Sequence, residues 1–502
     1  MKIIRSSHNS YRGSMIIIAL TVVAITAIML GSYLTLVQYQ TASVARSQAW
    51  NASVAVSEAG IEEGMSLMNR CYPSPKGDKW IWTAGITSDN WSPWASNITS
   101  IHRDIYTNGY GVYSYDVAIN ITGGNPVITA TGFVPFASTP WIFGSNQFVG
   151  LSFPLQPFVA AAGLSSGGQS AGKITRVVQV DTKLDIIFTR SLSTSNDITM
   201  NGGILVDSYN STNIAFSSWV TNATWGTNLV YNPNKRSDHG DVATDSSLAN
   251  AADLGKADIY GTLHTGPGST NTTASLGNGG AVGSLDYINK GGTGFQSNSW
   301  SYDMNVSFPP VPVPTTGSPP TPKTGSYLGT NYTYSLSSAD QIYQLNQPLS
   351  GTVVVTAPNT ILWAKAGISF SGQDGLYIAP GASVQIYVGD NSGSPVPCNL
   401  TGQGGMNANG YAVNCQLYGL ATCTSISMSG NAAFVGTIYA PYADLTGNGG
   451  GKDPNDVMGS IIVKSATFNG HFSFHFDEAL ATSGPARGWI ARNWREINYT
   501  GN

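Results

Sequence analysis

Charge is scarce in this 502-residue chain: Lys, Arg, Asp and Glu together make up 10% of it, against about 25% in an ordinary soluble domain. The formal net charge of −4 leaves no basic footprint, which argues against nucleic acid as a partner. Cysteine is sparse as well. Cys71, Cys398, Cys415 and Cys423 include no C-x-x-C pair, so spacing gives a zinc site no support. The longest absence is local, since no charged residue stands between Gly13 and Ala45. Glycine, at 58 residues, is abundant in its place, together with Ser, Thr and Asn, a composition suited to a β protein outside the cytoplasm. The length allows two or three domains with sizeable cores.

The uncharged stretch holds 23 mostly apolar residues from Met15 to Val37. At about 1.5 Å rise per residue a helix of that length crosses the roughly 30 Å hydrocarbon core with some tilt. A cleaved secretion signal has a shorter apolar region, about 7–15 residues. Lys2, Arg5 and Arg12 precede the run and only Arg46 follows closely, so the positive-inside bias keeps the N-terminus in the cytoplasm and the body outside the inner membrane, in the periplasm or on the cell surface. Beyond the membrane edge Ala42, Ala45, Ala49, Ala52, Ala55 and Ala59 recur at steps of three or four, one face of a continuing helix. Small residues on one stripe let helices approach closely. Val54, Ile61, Met65 and Met68 form a separate apolar face, to be covered by the following β domain, while Glu58, Glu62 and Glu63 make a solvated patch or pair with a neighbouring subunit. Tyr72, Pro73 and Pro75 end the helix.

The segment "RGSMIIIAL" followed by this helix resembles the N-terminus of type IV pilins and type II secretion pseudopilins. The resemblance implies a prepilin-type cut between Gly13 and Ser14, and other pilin-like subunits as partners through the helix. Ordinary pilins carry glutamate at the fifth mature position, where this chain has Ile18. That departure is shared with tip-type minor pilins and pseudopilins, and it points to a minor, initiating or non-polymerising subunit. Farther along, "VDSYNST", "DMNVSFPPVPVP", "GTIYAPYADLTGNG" and "FSFHFDEAL" resemble segments of functionally uncharacterised bacterial cell-envelope proteins, which join a pilus-assembly-like N-terminus to a β-rich domain.

The body reads as β throughout. "GVYSYDVAINITG", "PVITATGFVPF" and "ITRVVQV" alternate apolar and polar residues, the period of half-buried strands. A five-residue pattern then recurs as "ITMNG" (198–202), "ADIYG" (257–261), "ISFSG" (368–372), "ISMSG" (426–430), "ADLTG" (443–447) and "ATFNG" (466–470), compatible with the rungs of a parallel β-helix or with the strand-turn units of a hairpin sandwich. Seven prolines between Phe308 and Gly325 mark an extended linker or a strap across the surface. The expected architecture is mostly β: a leader-like segment (1–13), a membrane and amphipathic helix (14–70), a small antiparallel β domain (71–190), a β-repeat region (191–307), the Pro-rich linker (308–325) and a solenoid-like C-terminal domain (326–502).

Candidate chemistry is thin. "GQSAG" (168–172) matches the nucleophile-elbow pattern at Ser170 but lacks the strand before and the helix after that the motif needs. "GNGGAVG" (277–283) has neither a P-loop lysine nor a following helix and reads as a turn. In "FNGHFSFHFDE" (468–478) alternation places His471, Ser473, His475 and Asp477 on one face, with His475 and Asp477 as a local polar pair. The loop "DLTGNGGGKDPND" gathers Asp444, Asn448, Asp453, Asn455 and Asp456, oxygen donors that suit calcium or serve as ordinary turn residues; "KRSDHGDVATD" (235–245) is a weaker case. No other cofactor is expected. If the body matures in an oxidising compartment, at least one disulfide is expected among Cys398, Cys415 and Cys423, with Cys71 as a further candidate. The function expected is structural: a membrane-anchored, pilin-like subunit displaying a β-rich domain, with no catalytic constellation. The alternative is a tethered polysaccharide-binding adhesin or β-helix enzyme, for which Trp80, Trp82, Trp91 and Trp94 are candidate sugar platforms, or else core residues.

Overall fold

The computed structural model describes residues 11–71, 91–92, 97–109, 111–122, 125–137, 171–222, 226–314, 319–327, 329–390, 392–402, 405–407, 410–429, 433–449, 457–483 and 486–498. The protein is mostly β, with one long N-terminal apolar helix. It divides into two compact units. One holds residues 1–73, 80–184 and 488–502; the other holds 74–79 and 185–487.

In the first unit the helix α1 runs unbroken from Tyr11 to Cys71, 61 residues, because no proline interrupts it and alanine and unbranched residues dominate its second half. Four antiparallel strands follow as a meander: β1 (Ile98–Asn108), β2 (Gly111–Asn120), β3 (Val127–Ala137) and β4 (Ala171–Ile186). The alternating segments found in the sequence are β2, β3 and β4. The C-terminal strand Ala486–Ile497 adds itself beside β4, so residues 488–502 belong to this unit and not to the C-terminal repeat region expected for them. The core lies between helix and sheet, with Ile61, Leu67 and Met68 against Val117, Ile119, Ile128 and Val180. Trp91, a candidate sugar platform in the sequence, is buried in this core; Trp80, Trp82 and Trp94 lie outside the described residues.

The second unit is built on parallel pairing. Its chain visits three ladders in turn. The first stacks Ile342–Leu345, Thr360–Ala364, Val384–Val388, Cys415–Gly419, 437–439, 461–463, Leu192–Thr194, Val242–Thr244, Leu263–His264 and Trp300–Ser301. The second stacks Ile368–Gly372, Pro397–Gly402, Ser425–Ser429, 444–449, 466–469, Ile198–Asn201, Ala252–Asp253 and Ala274–Ser275. The third includes Val353–Val355, Leu376–Ile378, 457–459, Phe472–Asp477, Ile204–Tyr209, Asp258–Tyr260 and Ala281–Gly283. Inward residues of all three make one apolar cluster, from Leu336 and Leu362 through Phe468 to Ile259 and Val282.

Four of the six five-residue copies fall on the second ladder in matching positions: 368–372, 426–430, 466–470 and 198–202. "ADLTG" is offset by two, because Leu445 pairs with Ile426 and Ala466. "ADIYG" belongs to the third ladder. Where the aligned copies end in Asn-Gly, side-chain amides stack: Asn201 Nδ2 donates to Asn469 Oδ1 at 3.1 Å, and Asn469 Nδ2 to Asn448 Oδ1 at 3.0 Å.

The order of the ladders changes the reading of the Pro-rich segment. Rungs 461–463 lie on Leu192–Thr194, and 466–469 on Ile198–Asn201, so the last turns of the chain pair with the first. The stretches 191–307 and 326–487 therefore share one core, and the boundary expected at 308–325 falls inside a single unit. After Trp300–Ser301, at one end of the first ladder, the chain passes mid-stack, where the Tyr439 hydroxyl donates to Pro309 O at 2.8 Å and Val311 is buried. It reaches the opposite end where Gln344 N–H donates to Pro320 O at 2.9 Å. The prolines serve a strap along the stack, since an extended polyproline-type chain asks for no ladder partners.

Candidate functional site

The helix has two environments. From Met15 to Val44 its large apolar side chains, including Ile18, Val23, Ile28 and Leu34, lie bare. It is the one helix among the described residues long and apolar enough to cross a membrane. Its few hydroxyls are folded back on the backbone: Thr21, Thr26, Thr35 and Thr41 each donate to the carbonyl four residues earlier, at 2.6–2.9 Å. Hydroxyls satisfied this way expose no unpaired donor, which a hydrocarbon surrounding demands. This apolar helix marks the chain for membrane anchoring. Gly13 and Ser14, the expected cleavage pair, lie at its start.

The second half packs on the chain's own sheet. Of the alanine stripe, Ala49 is buried and Ala52 and Ala59 are partly covered by this core; Ala42 and Ala45 are half-buried and Ala55 is exposed. Only part of the stripe is thus free for another helix. The closest contacts come from a neighbouring stripe that the alanines obscured in the sequence: Ser53, Ser57, Gly60 and Gly64, all buried. A Cβ on Gly60 would stand 2.9 Å from Val117 Cγ2, and one on Gly64 2.8 Å from Ile128 Cγ2. Ser57 Oγ donates to Ser53 O at 2.8 Å and accepts from the Gly132 N–H at 3.0 Å. At the lower end the Asn69 side chain both accepts from Trp489 N (2.6 Å) and donates to Trp489 O (3.2 Å), as a strand neighbour would.

The acidic patch is divided by the fold. Glu63 is engaged, with Arg103 at 2.8 Å and the Tyr115 hydroxyl donating to it at 2.5 Å, and that burial beside a carboxylate raises the Tyr115 pKa. Glu58 and Glu62 are exposed, as is Arg46. None of these three has an ion-pair partner among the described residues.

Elsewhere the candidate side chains are occupied in holding turns and rungs. His475 does not pair with Asp477. Its Nδ1 lies 2.5 Å from Asp207 Oδ1, both groups fully buried, while Tyr231 stacks on the imidazole at 3.6 Å and donates to Asp207 Oδ2 at 2.7 Å. Asp477 instead accepts from the Ser211 N–H and hydroxyl; burial is the largest influence on it and raises its pKa. The outer side of this strand is covered as well, since Tyr231 lies over His475, and the carboxylate within reach of the imidazole is that of Asp207, its register partner on the adjoining strand. In the 235–245 segment Asp238, Asp241 and Asp245 each accept a backbone N–H, from Leu285, Thr262 and Val306. Of the calcium candidates, Asp444 is taken by Lys464 (3.2 Å) and Ser465 (2.5 Å), and Asn448 by the amide stack. Asp453 and Asp456 lie outside the described residues, as does Ser170. No group of three or more His, Cys, Asp or Glu side chains among the described residues could hold a metal.

Cys398, Cys415 and Cys423 are free and buried, so the disulfide expected among them is absent. Each sits in the apolar interior of the ladders, with Cys398 beside Ile368 and Ile426 and Cys415 beside Val384, where a thiol packs as a small apolar group. Burial pushes the Cys415 and Cys423 thiols up to about 12 and raises Cys398 as well. The side chain of Cys71 lies outside the described residues.

Set against known proteins, residues 346–483 match the family described as "Domain of unknown function (DUF7305)". Among solved structures the chain is similar to the competence-associated pilin ComZ from Thermus thermophilus, at 10% identity and a TM-score of 0.27, over 89% of this chain and 96% of that one. No curated protein matches the chain.

Proposed function

We propose that this protein is a pilin-like structural subunit of the cell envelope, of the minor-pilin or pseudopilin type. It is anchored by α1 and displays its β units outside the cytoplasm. The observation that supports this reading most is the division of one unbroken 61-residue helix into a bare apolar half and a half packed on an antiparallel sheet. A plain anchor requires no continuation, and a discarded signal would not be one rigid rod with the folded unit. The bare half packs laterally with other pilin-like helices. The three ladders form the faces of a parallel β-solenoid, a stiff spacer, and no catalytic step belongs to this function. N-terminal sequencing of the membrane-bound protein tests it. A start at Ser14, lost in Gly13→Ala while membrane insertion persists, is the expected result; a start at Met1 leaves a simple anchor, and a start near residue 38 leaves a secretion signal.

A second reading, a polysaccharide-binding adhesin, rests on the hairpin of Ser218–Asn222 and Gly226–Val230. It exposes Trp219 and Val220 close in sequence to Ile214 and Phe216, also exposed. An exposed indole is a stacking platform for a sugar ring. Retention on immobilised polysaccharide that Trp219→Ala abolishes would favour this role for the hairpin.

A further inference from the structure

We infer that the outer face of the second ladder is an ice-binding surface, whose two ranks of hydroxyl and amide side chains order water into a layer that fits an ice crystal. The inference concerns the ladder unit alone and does not depend on the role of α1.

Of the three outer faces, two are covered by other parts of the chain. Trp363, Tyr387 and Tyr418 of the first ladder pack with Phe308, Val311 and Val313 of the strap. On the third, Tyr231 lies over His475, and Tyr260 and Ala281 pack against Ile288. The second ladder differs. Ser369, Asn399, Ser427, Thr446, Thr467 and Thr199 stand in register on six successive rungs, each exposed or half-buried. Their side chains make no hydrogen bond to another described residue, so their donors and acceptors are turned to water. Two residues farther along the same strands comes a second rank, Ser371, Thr401, Ser429, Asn448, Asn469 and Asn201. Its amides stack through Asn448, Asn469 and Asn201, and side-chain ladders of this kind keep a sheet flat.

An exposed β face ordinarily carries charges, which keep other surfaces off. Neither rank has a charged residue, nor an aromatic one on which a sugar ring could stack. The Asp444–Lys464 pair and Asp253 lie at the margins. Rungs repeat at about 4.8 Å and alternate residues of a parallel strand at about 6.6 Å, a two-dimensional lattice close to the repeats of hexagonal ice along its a and c axes. Water bound to such ranks takes up their spacing. Each hydrogen bond gains little over bulk water, so a single soluble molecule is held weakly, whereas a crystal engages the whole array at once. A periodic solid is the ligand this face suits.

The test uses the full chain in lipid nanodiscs, with ice grown slowly from the solution. The chain should concentrate in the ice while empty nanodiscs stay in the liquid, and single crystals should stop growing just below their melting point. Thr446→Lys with Thr467→Lys places long charged side chains on two middle rungs and should abolish both effects, whereas Thr107→Lys, on β1 of the other unit, should leave both intact. Circular dichroism checks that the β signal survives; if the pair fails to fold, Ser427→Tyr alone, on the same face, carries the same expectation. A wild-type chain that stays in the liquid and leaves crystal growth unchanged overturns the inference. Ice affinity that persists in the folded Lys pair overturns it for this face. Retention on crystalline cellulose or chitin, lost in the Lys pair and without any ice affinity, also overturns it and gives the face to polysaccharide.

Discussion

The two units bury comparable apolar residues by opposite means. In the helix-and-sheet unit, glycine permits side chains to interlock: the groups nearest Gly60 and Gly64 are the methyls of Val117, Ala130 and Ile128. In the ladder unit, glycine permits backbone to meet backbone. A Cβ on Gly459 would stand 1.9 Å from Gly436 O, one on Gly202 2.1 Å from Gly470 O, and one on Gly470 2.2 Å from Gly449 O, and these three glycines have positive φ. Strands about 4.8 Å apart leave no room for a side chain where a turn folds across its neighbour. A helix on a sheet has flexible side chains that can yield. The ladder unit should therefore be the less forgiving of the two.

Gly459→Val should show that difference at its largest. It adds a clash with backbone to a φ of +138°, and a loss of about 4 kcal/mol or more is expected. Hydrogen exchange should report the loss across 185–487 and leave β2 and β3 protected. Equal loss of protection in both units would mean that they unfold together.

Next in size is Asp207→Ala. It leaves the His475 imidazole and the Tyr231 hydroxyl without their shared acceptor in a site closed to water, and breaking a buried pair of this kind costs about 3–5 kcal/mol. The denaturation midpoint of 185–487 should fall accordingly. A change below about 1 kcal/mol would mean that solvent reaches the cluster.

Gly64→Ala in the other unit should cost less, about 1–3 kcal/mol, since the added methyl meets the Ile128 side chain and not a carbonyl. If it proves as damaging as Gly459→Val, the contrast between the units fails. Gly132 is the exception within its own unit. Its Cβ would stand 2.5 Å from Ser53 O, and a substitution there should behave like one in the ladders.

Much of the local structure was legible in the sequence, because period and turn chemistry are local. Residues 111–120, 127–137 and 174–180 alternate and are strands; four of the glycine-ended pentapeptides share one ladder. What the sequence hid depends on distant partners. Nothing in "ARGWIARNWREI" says that it returns to β4, and nothing near Leu192 says that it lies under Ile461. The proline run looked like a boundary because a strap and a linker have the same composition. Local alternation offers His475 only Asp477, whereas its partner, Asp207, lies 268 residues away. The stripe of Ser53, Ser57, Gly60 and Gly64 could have been found, since its steps of four, three and four are as regular as those of the alanines. Propensity drew attention to the better helix formers.

The thiols give a smaller and more specific test of the ladder interior. Cys398, Cys415 and Cys423 are enclosed, and burial favours their neutral form. All three should resist iodoacetamide at pH 8 in the folded protein and react on denaturation, because the thiolate is the nucleophile. Mass spectrometry of alkylated peptides reads this directly. Rapid labelling of Cys423 without denaturant would show that the corner between the first and second ladders opens.

The smallest expected effect is on the surface of the helix-and-sheet unit. His102 lies between Asp116, at 2.5 Å from Nδ1, and Asp104, at 3.1 Å from Nε2; the hydrogen bond to Asp116 is the main cause of its raised pKa. A folded pKa above the unfolded 6.5 means that the protonated pair stabilises the fold fully below that value. The contribution is lost as pH rises through the folded pKa. The groups are more than half exposed, so salt should screen the effect. An NMR titration should place the His102 ring above 6.5 in wild type and nearer 6.5 in Asp116→Asn, with unit stability falling slightly between those values in wild type alone. No such shift on removing Asp116 would leave the imidazole solvated and the cross-strand pair without a part in holding β1 to β2, where backbone hydrogen bonds and the Arg103–Glu63 contact would then suffice.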